Sequence, residues 1–255
     1  MTIMSPTVAS RPAPAHSPLM DWQDEGIVLS VRPHGETAAV AELFTRAHGR
    51  HLGLVYGGRS RLKRPLLQPG NLLAATWRAR IADQLGMFEL EMKEPYAAKV
   101  FDSRLGLSGL ECLTTLARLL PERDPHPNLF EVTLFVLGYL EDNDIWPALY
   151  ARWELALLED LGFGLDLAAC AVTGSTEDLA YVSPRTGRAV SLAAGEPYRD
   201  KLLRLPKLFT KVGIKGANRV EVGDALQLTG HFLTRDVLEP RGLVMPDARA
   251  RLLAL

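Results

Sequence analysis

From Asp24 onward, apolar and polar residues alternate with the period of two that sends successive strand side chains to opposite faces. Ile27, Leu29 and Val31 share one face, and Val28, Ser30 and Arg32 the other. The turn Pro33-His34-Gly35-Glu36 closes that run, and a second follows from Ala38 to Thr45. Gly49 interrupts the chain before Leu52, Leu54 and Tyr56 alternate again. After a long loop, Leu73, Ala75, Trp77, Ala79 and Ile81 take one parity, with Thr76, Arg78 and Arg80 on the other. Phe88, Leu90 and Met92 form a fifth run, with Glu89 and Glu91 facing out. Five short strands with Gly-rich turns predict a closed barrel of OB type over residues 20–95.

At Pro95 the period changes. Ser108-Gly109-Leu110-Glu111 has the spacing of a capping box, in which a hydroxyl and a carboxylate satisfy orphan amides at a helix start. Leu110, Leu113, Ala117 and Leu120 then mark a helical face that Pro121 ends. Phe130, Leu134 and Leu137 mark a second helix; Leu149, Trp153, Leu157 and Leu161 mark a third, stopped by Gly162. An irregular insert follows at 164–198, with the hairpin-like YVSPRTGRAVS inside it. Further helices are expected from Gly223 to Val237 and near Ala248. The fold class is therefore α+β, with a mainly helical domain over 96–255. Residues 1–19, rich in Pro, Ser and Ala and without hydrophobic period, read as a disordered extension, and Met20 offers an alternative start.

The chain has 255 residues, 47% hydrophobic and 23% charged, with a formal net charge of -1. No apolar stretch is long enough for a bilayer span, so no membrane role is expected. Two cysteines, Cys112 and Cys170, form no disulfide framework, and no signal peptide opens the chain; both point to the cytoplasm. The near-neutral total conceals an uneven distribution. Between Arg46 and Arg80 there is no Asp or Glu, while Arg46, Arg50, Arg59, Arg61, Lys63, Arg64, Arg78 and Arg80 all lie there. In 96–165, Lys99, Arg104, Arg118, Arg123 and Arg152 are outnumbered by acids, and 199–255 turns basic again.

An acid-free basic window suits a phosphate backbone, because neutralising phosphates releases condensed counterions. The loop Gly57-Gly58-Arg59-Ser60-Arg61-Leu62-Lys63-Arg64 adds glycines for close approach and a mobile cluster of cations. Tyr56 and Trp77 flank it, either as stacking platforms for unpaired bases or as barrel core, since each shares parity with apolar neighbours. Lys207, Lys211, Lys215 and Arg219 recur every four residues, but Gly213 and Gly216 oppose one continuous helix, and a solvated surface is the better reading.

Catalytic signatures are absent. The sequence holds no G-x-S-x-G elbow, no phosphate-binding G-x-x-x-x-G-K-[ST] and no dinucleotide fingerprint. Its histidines lack zinc-hydrolase spacing, and Glu141, Asp142 and Asp144 form an acidic cluster more suited to a helix end than to a metal. No catalytic residue, metal or cofactor is assigned, and the chain reads as a non-enzyme.

The run DEGIVLSVRPHGETAAVAELFTRAHGRHLGLVYGGRSRLKRPLLQPGNLL, with the later ALLEDLGFGLDLAAC, resembles the RecO family of bacterial recombination mediators over residues 20–255. That resemblance implies an N-terminal OB-fold and a helical domain. It also implies binding of single- and double-stranded DNA, annealing of complementary strands and help in loading RecA. The implied partners are RecR and the acidic tail of single-stranded-DNA-binding protein (SSB), and the implied location is the nucleoid. Arg46, Arg50, Arg59, Arg61, Lys63 and Arg64 fall in the family's OB segment; Arg118, Arg123 and Arg152 are the candidates for the acidic tail. Many members carry a four-cysteine zinc site in the insert. Here Cys170 holds the first position, while Thr173, Ser191 and Ala194 stand at the other three, so no zinc is expected and the insert must be held by packing, with mobility concentrated there. Two other classes fit the residues without the resemblance: a protein-interaction adaptor whose barrel binds no DNA, and an RNA-binding OB protein.

Overall fold

The computed structural model describes residues 20–81, 84–210 and 218–253; the expected extension at 1–19 lies outside them, as do Lys211, Gly213, Lys215 and Gly216 of the C-terminal basic row. Five strands, β1 (Met20–His34), β2 (Ala38–Thr45), β3 (Gly49–Val55), β4 (Leu72–Ala79) and β5 (Met87–Glu94), close in the order β1-β2-β3-β5-β4. All neighbours are antiparallel except β3 and β5, whose parallel contact is the single pair Leu54↔Met87.

Barrel size explains where strict alternation fails. The interior is filled by Trp77 and Phe88 with Val28, Leu43, Val55 and Leu73, and small residues must oppose the two large rings. A Cβ on Gly53 would lie 2.3 Å from the Phe88 ring, so β3 turns His51, Gly53 and Val55 inward. Leu52, Leu54 and Tyr56, read as its apolar face, are the outward set, with Tyr56 exposed. In β1 a register shift between Val28 and Ser30 lets Val28 and Val31 both face the barrel core despite opposite parity. Ile27 and Leu29 go the other way, into a second core with the helices.

That second core is why every residue of β2 is buried. Ala39, Ala41 and Leu43 fill the barrel, while Phe44 meets the ring of Phe130 edge-on at 5.5 Å across the helical boundary. The helices are α1 (Tyr96–Lys99), α2 (Arg104–Ala117), α3 (Pro127–Gly138) and α4 (Trp146–Asp160). A three-stranded sheet, β6 (Leu179–Val182), β7 (Ala189–Ser191) and β8 (Leu203–Arg204), follows with the short helix α5 (Leu192–Gly195) between β7 and β8. Then come α6 (Lys207–Thr210), α7 (Arg219–Phe232) continued by a π-helical turn Leu233–Leu238, and α8 (Asp247–Leu253).

The capping box at Ser108 is corrected. Helix α2 starts five residues earlier, with the Ser103 hydroxyl accepting the Gly106 amide at 3.0 Å. Ser108 and Glu111 lie inside the helix and hold α8, receiving Arg251 at 2.8 and 3.0 Å. Helix α7 likewise begins at the Asn218 cap rather than at Gly223.

One ion pair fastens the C-terminus. Glu154 of α4 is fully buried and takes two bonds from Arg249 of α8, at 2.6 and 2.8 Å. Thr229 of α7 bonds the same carboxylate at 2.5 Å. Burial disfavours the charged guanidinium, but the Glu154 carboxylate outweighs it and raises the Arg249 pKa. Removing one partner strands a buried charge. Arg249→Ala is therefore expected to lower unfolding free energy by about 3–5 kcal/mol in urea titrations, and Glu154→Leu with Arg249→Met to recover most of it.

His51 sits edge-on to Trp22 and Trp77, at 5.1 and 4.8 Å, and neither ring nitrogen has a hydrogen-bond partner among the described residues. Burial, with the Arg123 charge, pushes its pKa from 6.5 down to about 4. Below pH 6.5 the unfolded chain binds a proton that the folded chain refuses, so stability falls as pH drops from 6.5 toward 4. In thermal melts across that window, His51→Phe should show a shallower decline in Tm than the parent; an identical slope would refute the assignment.

Candidate nucleic-acid interface

The β3–β4 loop is built by its glycines and its own hydrogen bonds. Gly57 has φ +63, and a Cβ on Gly58 would lie 2.8 Å from Ala39, so the chain passes flat against the start of β2. The Arg59 amide donates to Thr37 at 3.1 Å, and a helical turn follows, with Arg64 donating to Ser60 and Leu67 to Lys63. Leu67 plugs into the barrel core. At the far end, Asn71 donates its side-chain amide to Pro65 and Leu66 and accepts the Ala97 amide, while Gly70, at φ +91, leaves room for Leu110. The loop expected to be mobile is thus framed along its length.

Two of its cations are held by carbonyls rather than acids. Arg59 donates to the Gly35 and Glu36 carbonyls, both at 2.9 Å, and Lys63 to the Tyr56 carbonyl at 2.9 Å. Arg59, Arg61 and Arg64 are exposed, and none of these three nor Lys63 forms an ion pair among the described residues. Tyr56 is 63% exposed on the same loop. Trp77 is core instead, 2% exposed with its indole nitrogen donating to Leu85.

The other cations of the window lie elsewhere, each except Arg80 facing an acid from another element. Arg46 pairs with Glu25 at 2.8 Å and with Glu131, and its guanidinium lies 4.9 Å from the Phe130 ring centre. Its hydrogen bond, then that of Lys93, lowers the Glu25 pKa. Arg50 donates to the Leu120 carbonyl at 2.9 Å and pairs with Glu42. Arg78 faces Glu89 at 3.2 Å, and Arg80 is exposed beyond the end of β4. The sequence window is acid-free along the chain but not in space.

Glu42 collects three donors: Ser30 at 2.6 Å, Arg118 of the α2 C-cap at 2.8 Å, and Arg50. Burial raises its pKa, but the Ser30 hydroxyl and the two arginines outweigh that and hold it below the usual carboxylate value. The three arginines assigned to an acidic tail do not converge. Arg118 is bound to Glu42, and Arg123 reaches the Gln84 carbonyl at 3.2 Å. Arg152 alone borders an apolar groove of about 460 Å³ between α3 and α4, lined by Val132, Phe135, Tyr139 and Leu149. Phe135 and Tyr139, tilted against each other at 53° with centroids 5.0 Å apart, were missed by the sequence reading, although both fall off the buried stripe of α3.

The residues of the insert do not fit a structural zinc. The Cys170 sulfur accepts the Ser191 amide at 3.2 Å, and the Ser191 and Thr173 hydroxyls with their amides hold the thiol pKa down to about 6. Ala194 has no ligand atom, and among the described residues no group of three His, Cys, Asp or Glu is placed to hold a metal. The acidic cluster before α4 is a helix entry, with Asp142 accepting the Asp144 amide and Asn143 the Trp146 indole. No helix among the described residues is long and apolar enough to cross a membrane.

Comparison with known proteins covers both parts of this architecture. Residues 20–96 match the family described as Recombination protein O N terminal, and residues 107–242 that described as Recombination protein O C terminal. The chain is 52% identical over 235 residues to DNA repair protein RecO of Mesorhizobium japonicum, covering 92% of this chain and 93% of that one. It is 53% identical to DNA repair protein RecO of Chelativorans sp. over 92% and 95% of the two chains, and 54% identical to that of Methylobacterium nodulans over 92% and 98%. With a barrel of the expected strand count followed by helices, and matches spanning both, the chain belongs to the RecO family of DNA repair proteins.

Proposed function

We propose that this protein is a non-enzymatic, cytoplasmic and nucleoid-associated recombination mediator. It binds single- and double-stranded DNA through the β3–β4 loop, anneals complementary strands and, with RecR, assists RecA loading on SSB-coated DNA. The observation that carries this reading is the set Arg59, Arg61, Lys63 and Arg64: mostly exposed, carried on an ordered loop that ties down Arg59 and Lys63, and without an ion pair among the described residues. Fixed cations lose little entropy when they meet phosphates, and each contact releases counterions. Annealing needs no ATP on this account, since pairing is downhill once strand repulsion is screened. Arg46 and Arg50 act in the same reading as fasteners between barrel and helices.

Anisotropy titrations of labelled single-stranded DNA across a salt series test the assignment. Changing the four loop cations to Ala should flatten the slope of log K against log salt by about 3, from roughly 0.7 per phosphate contact on single strands. Arg50→Ala should instead lower Tm while leaving the slope nearly unchanged. An unaltered slope in the four-alanine variant, with folding intact, refutes the loop assignment and moves the contact to another basic surface such as the C-terminal segment, whereas no binding by the parent even at low salt favours the adaptor reading.

The α3–α4 groove supports the SSB-tail partner, because an apolar recess with Arg152 at its edge suits a peptide that is acidic and ends in an apolar side chain. Phe135→Ala and Arg152→Ala should each weaken binding of such a peptide at least tenfold, a loss of about 1.4 kcal/mol, in calorimetric titrations. Arg118→Ala, whose side chain serves Glu42, should not.

A further inference from the structure

Beside the basic loop lies a recess of about 450 Å³ between the β1–β2 turn and the helical turn of the loop. Its floor is Val31, Ala39 and Leu67, and its rim carries Arg59, Arg64 and Gln68. The rim is rigid. Arg59 is clamped by the Gly35 and Glu36 carbonyls, and Gln68 spends one amide hydrogen on the Arg64 carbonyl at 2.9 Å. Gln68 keeps a carbonyl oxygen and a second hydrogen without partners among the described residues, and Arg64 has no ion pair there. A small apolar floor beneath two guanidinium groups and one free amide edge matches a particular chemistry: a flat heterocycle with polar edges, joined to an anion.

We propose that this recess is a subsite for one unpaired nucleobase, with Arg59 and Arg64 on its flanking phosphates and Gln68 on its polar edge. The inference rests on the reading of the loop as a DNA surface and deepens it. A base within a duplex has its edge paired and its faces covered by neighbours, so it cannot turn into the recess without the cost of unstacking. Single strands therefore gain a contact that duplexes lack, and the loop distinguishes the two by a base rather than by charge. A protein partner with an acidic, apolar-tipped segment would meet the same groups. The nucleotide is favoured because the rim residues Arg59 and Arg64 belong to the same loop as Arg61, Lys63 and the exposed Tyr56, and none of these four cations has an ion pair among the described residues.

The test compares the full chain binding a labelled oligothymidine with an oligomer of equal length and charge carrying abasic sites, over one salt series. Oligothymidine is expected to bind about tenfold or more tighter, at an equal salt slope. Val31→Phe, which fills the recess without changing charge, should erase that preference and leave the slope intact; Gln68→Trp, at an exposed position, fills it from the rim should Val31→Phe fail to fold. Equal binding of both oligomers by the parent overturns the base subsite while the DNA surface stands, since the salt slope persists. A base preference that survives in both folded variants also overturns it, placing the contact elsewhere. Salt-independent binding, or none, overturns the DNA surface and the subsite together. An acidic peptide that binds the parent and is lost in Val31→Phe, with the two oligomers bound equally, reassigns the recess to a protein.

Discussion

A single buried carboxylate sets the arrangement on which the remaining surfaces depend. Glu42 sits on the outward face of β2, where a barrel standing alone would leave it in water, and the helical layer covers it to 3% exposure. A carboxylate so placed must be compensated, because desolvation of a charge costs several kcal/mol. The compensation comes from three directions: Ser30 from β1, Arg50 from β3 and Arg118 from the end of α2. Arg50 then reaches the Leu120 carbonyl, and its own carbonyl accepts the Arg123 amide. The register of barrel against helices is thereby specified by directional bonds, where apolar contact alone tolerates sliding.

The same constraint sorts the cations. Arginines on the outer wall between Glu25, Glu42 and α3 are drawn into pairs and lose their availability to a ligand. On the β3–β4 loop, Arg59 and Lys63 lie against backbone carbonyls, which orient a cation without neutralising it. A carbonyl-held arginine retains full charge and keeps spare donors, so the loop combines order with an uncompensated field. The difference between structural and ligand-facing arginine here is therefore a matter of partner type rather than position along the chain.

This explains how far the sequence could be read. Strand and helix types were legible because burial follows period: Leu73, Ala75 and Trp77 point into the barrel as their parity requires. Parity failed in β3 because the interior is decided across strands; the rings of Phe88 and Trp77 demand Gly53 and His51 opposite them, which no window within one strand can show. The capping box at Ser108 failed for a related reason, since its Ser and Glu are matched to Arg251, far along the chain. For the candidate site, the loop cations were legible from local composition. The fate of Arg46 and Arg50 was not, since Glu131 and Glu42 reach them through tertiary packing. A signal existed in AAVAELFT, where one acid within an otherwise apolar strand calls for a buried cation partner.

Ordinary bonds and packing gather the insert at both of its ends. A structural zinc contributes folding energy by gathering distant ligands. Here the gathering is done by different means at each end. Cys170 receives the Ser191 amide, and the Ala171 and Ala189 backbones join strand-like to Ala189 and Asp166 respectively. Val182 and Ala189, fully buried, enter the same core as Phe232 of α7, and Arg235 and His231 both bond the Pro184 carbonyl at the hairpin tip. The expectation that this segment must be held by packing has its physical content in those residues. The greatest mobility in the chain, also expected there, would have to be reached against anchors at both the base and the tip. Because the base is closed by a thiol and amides and the tip by the His231 ring of α7 and the Arg235 guanidinium of its continuation, the insert's order is coupled to the C-terminal helices, and through Glu154 and Arg249 to α4.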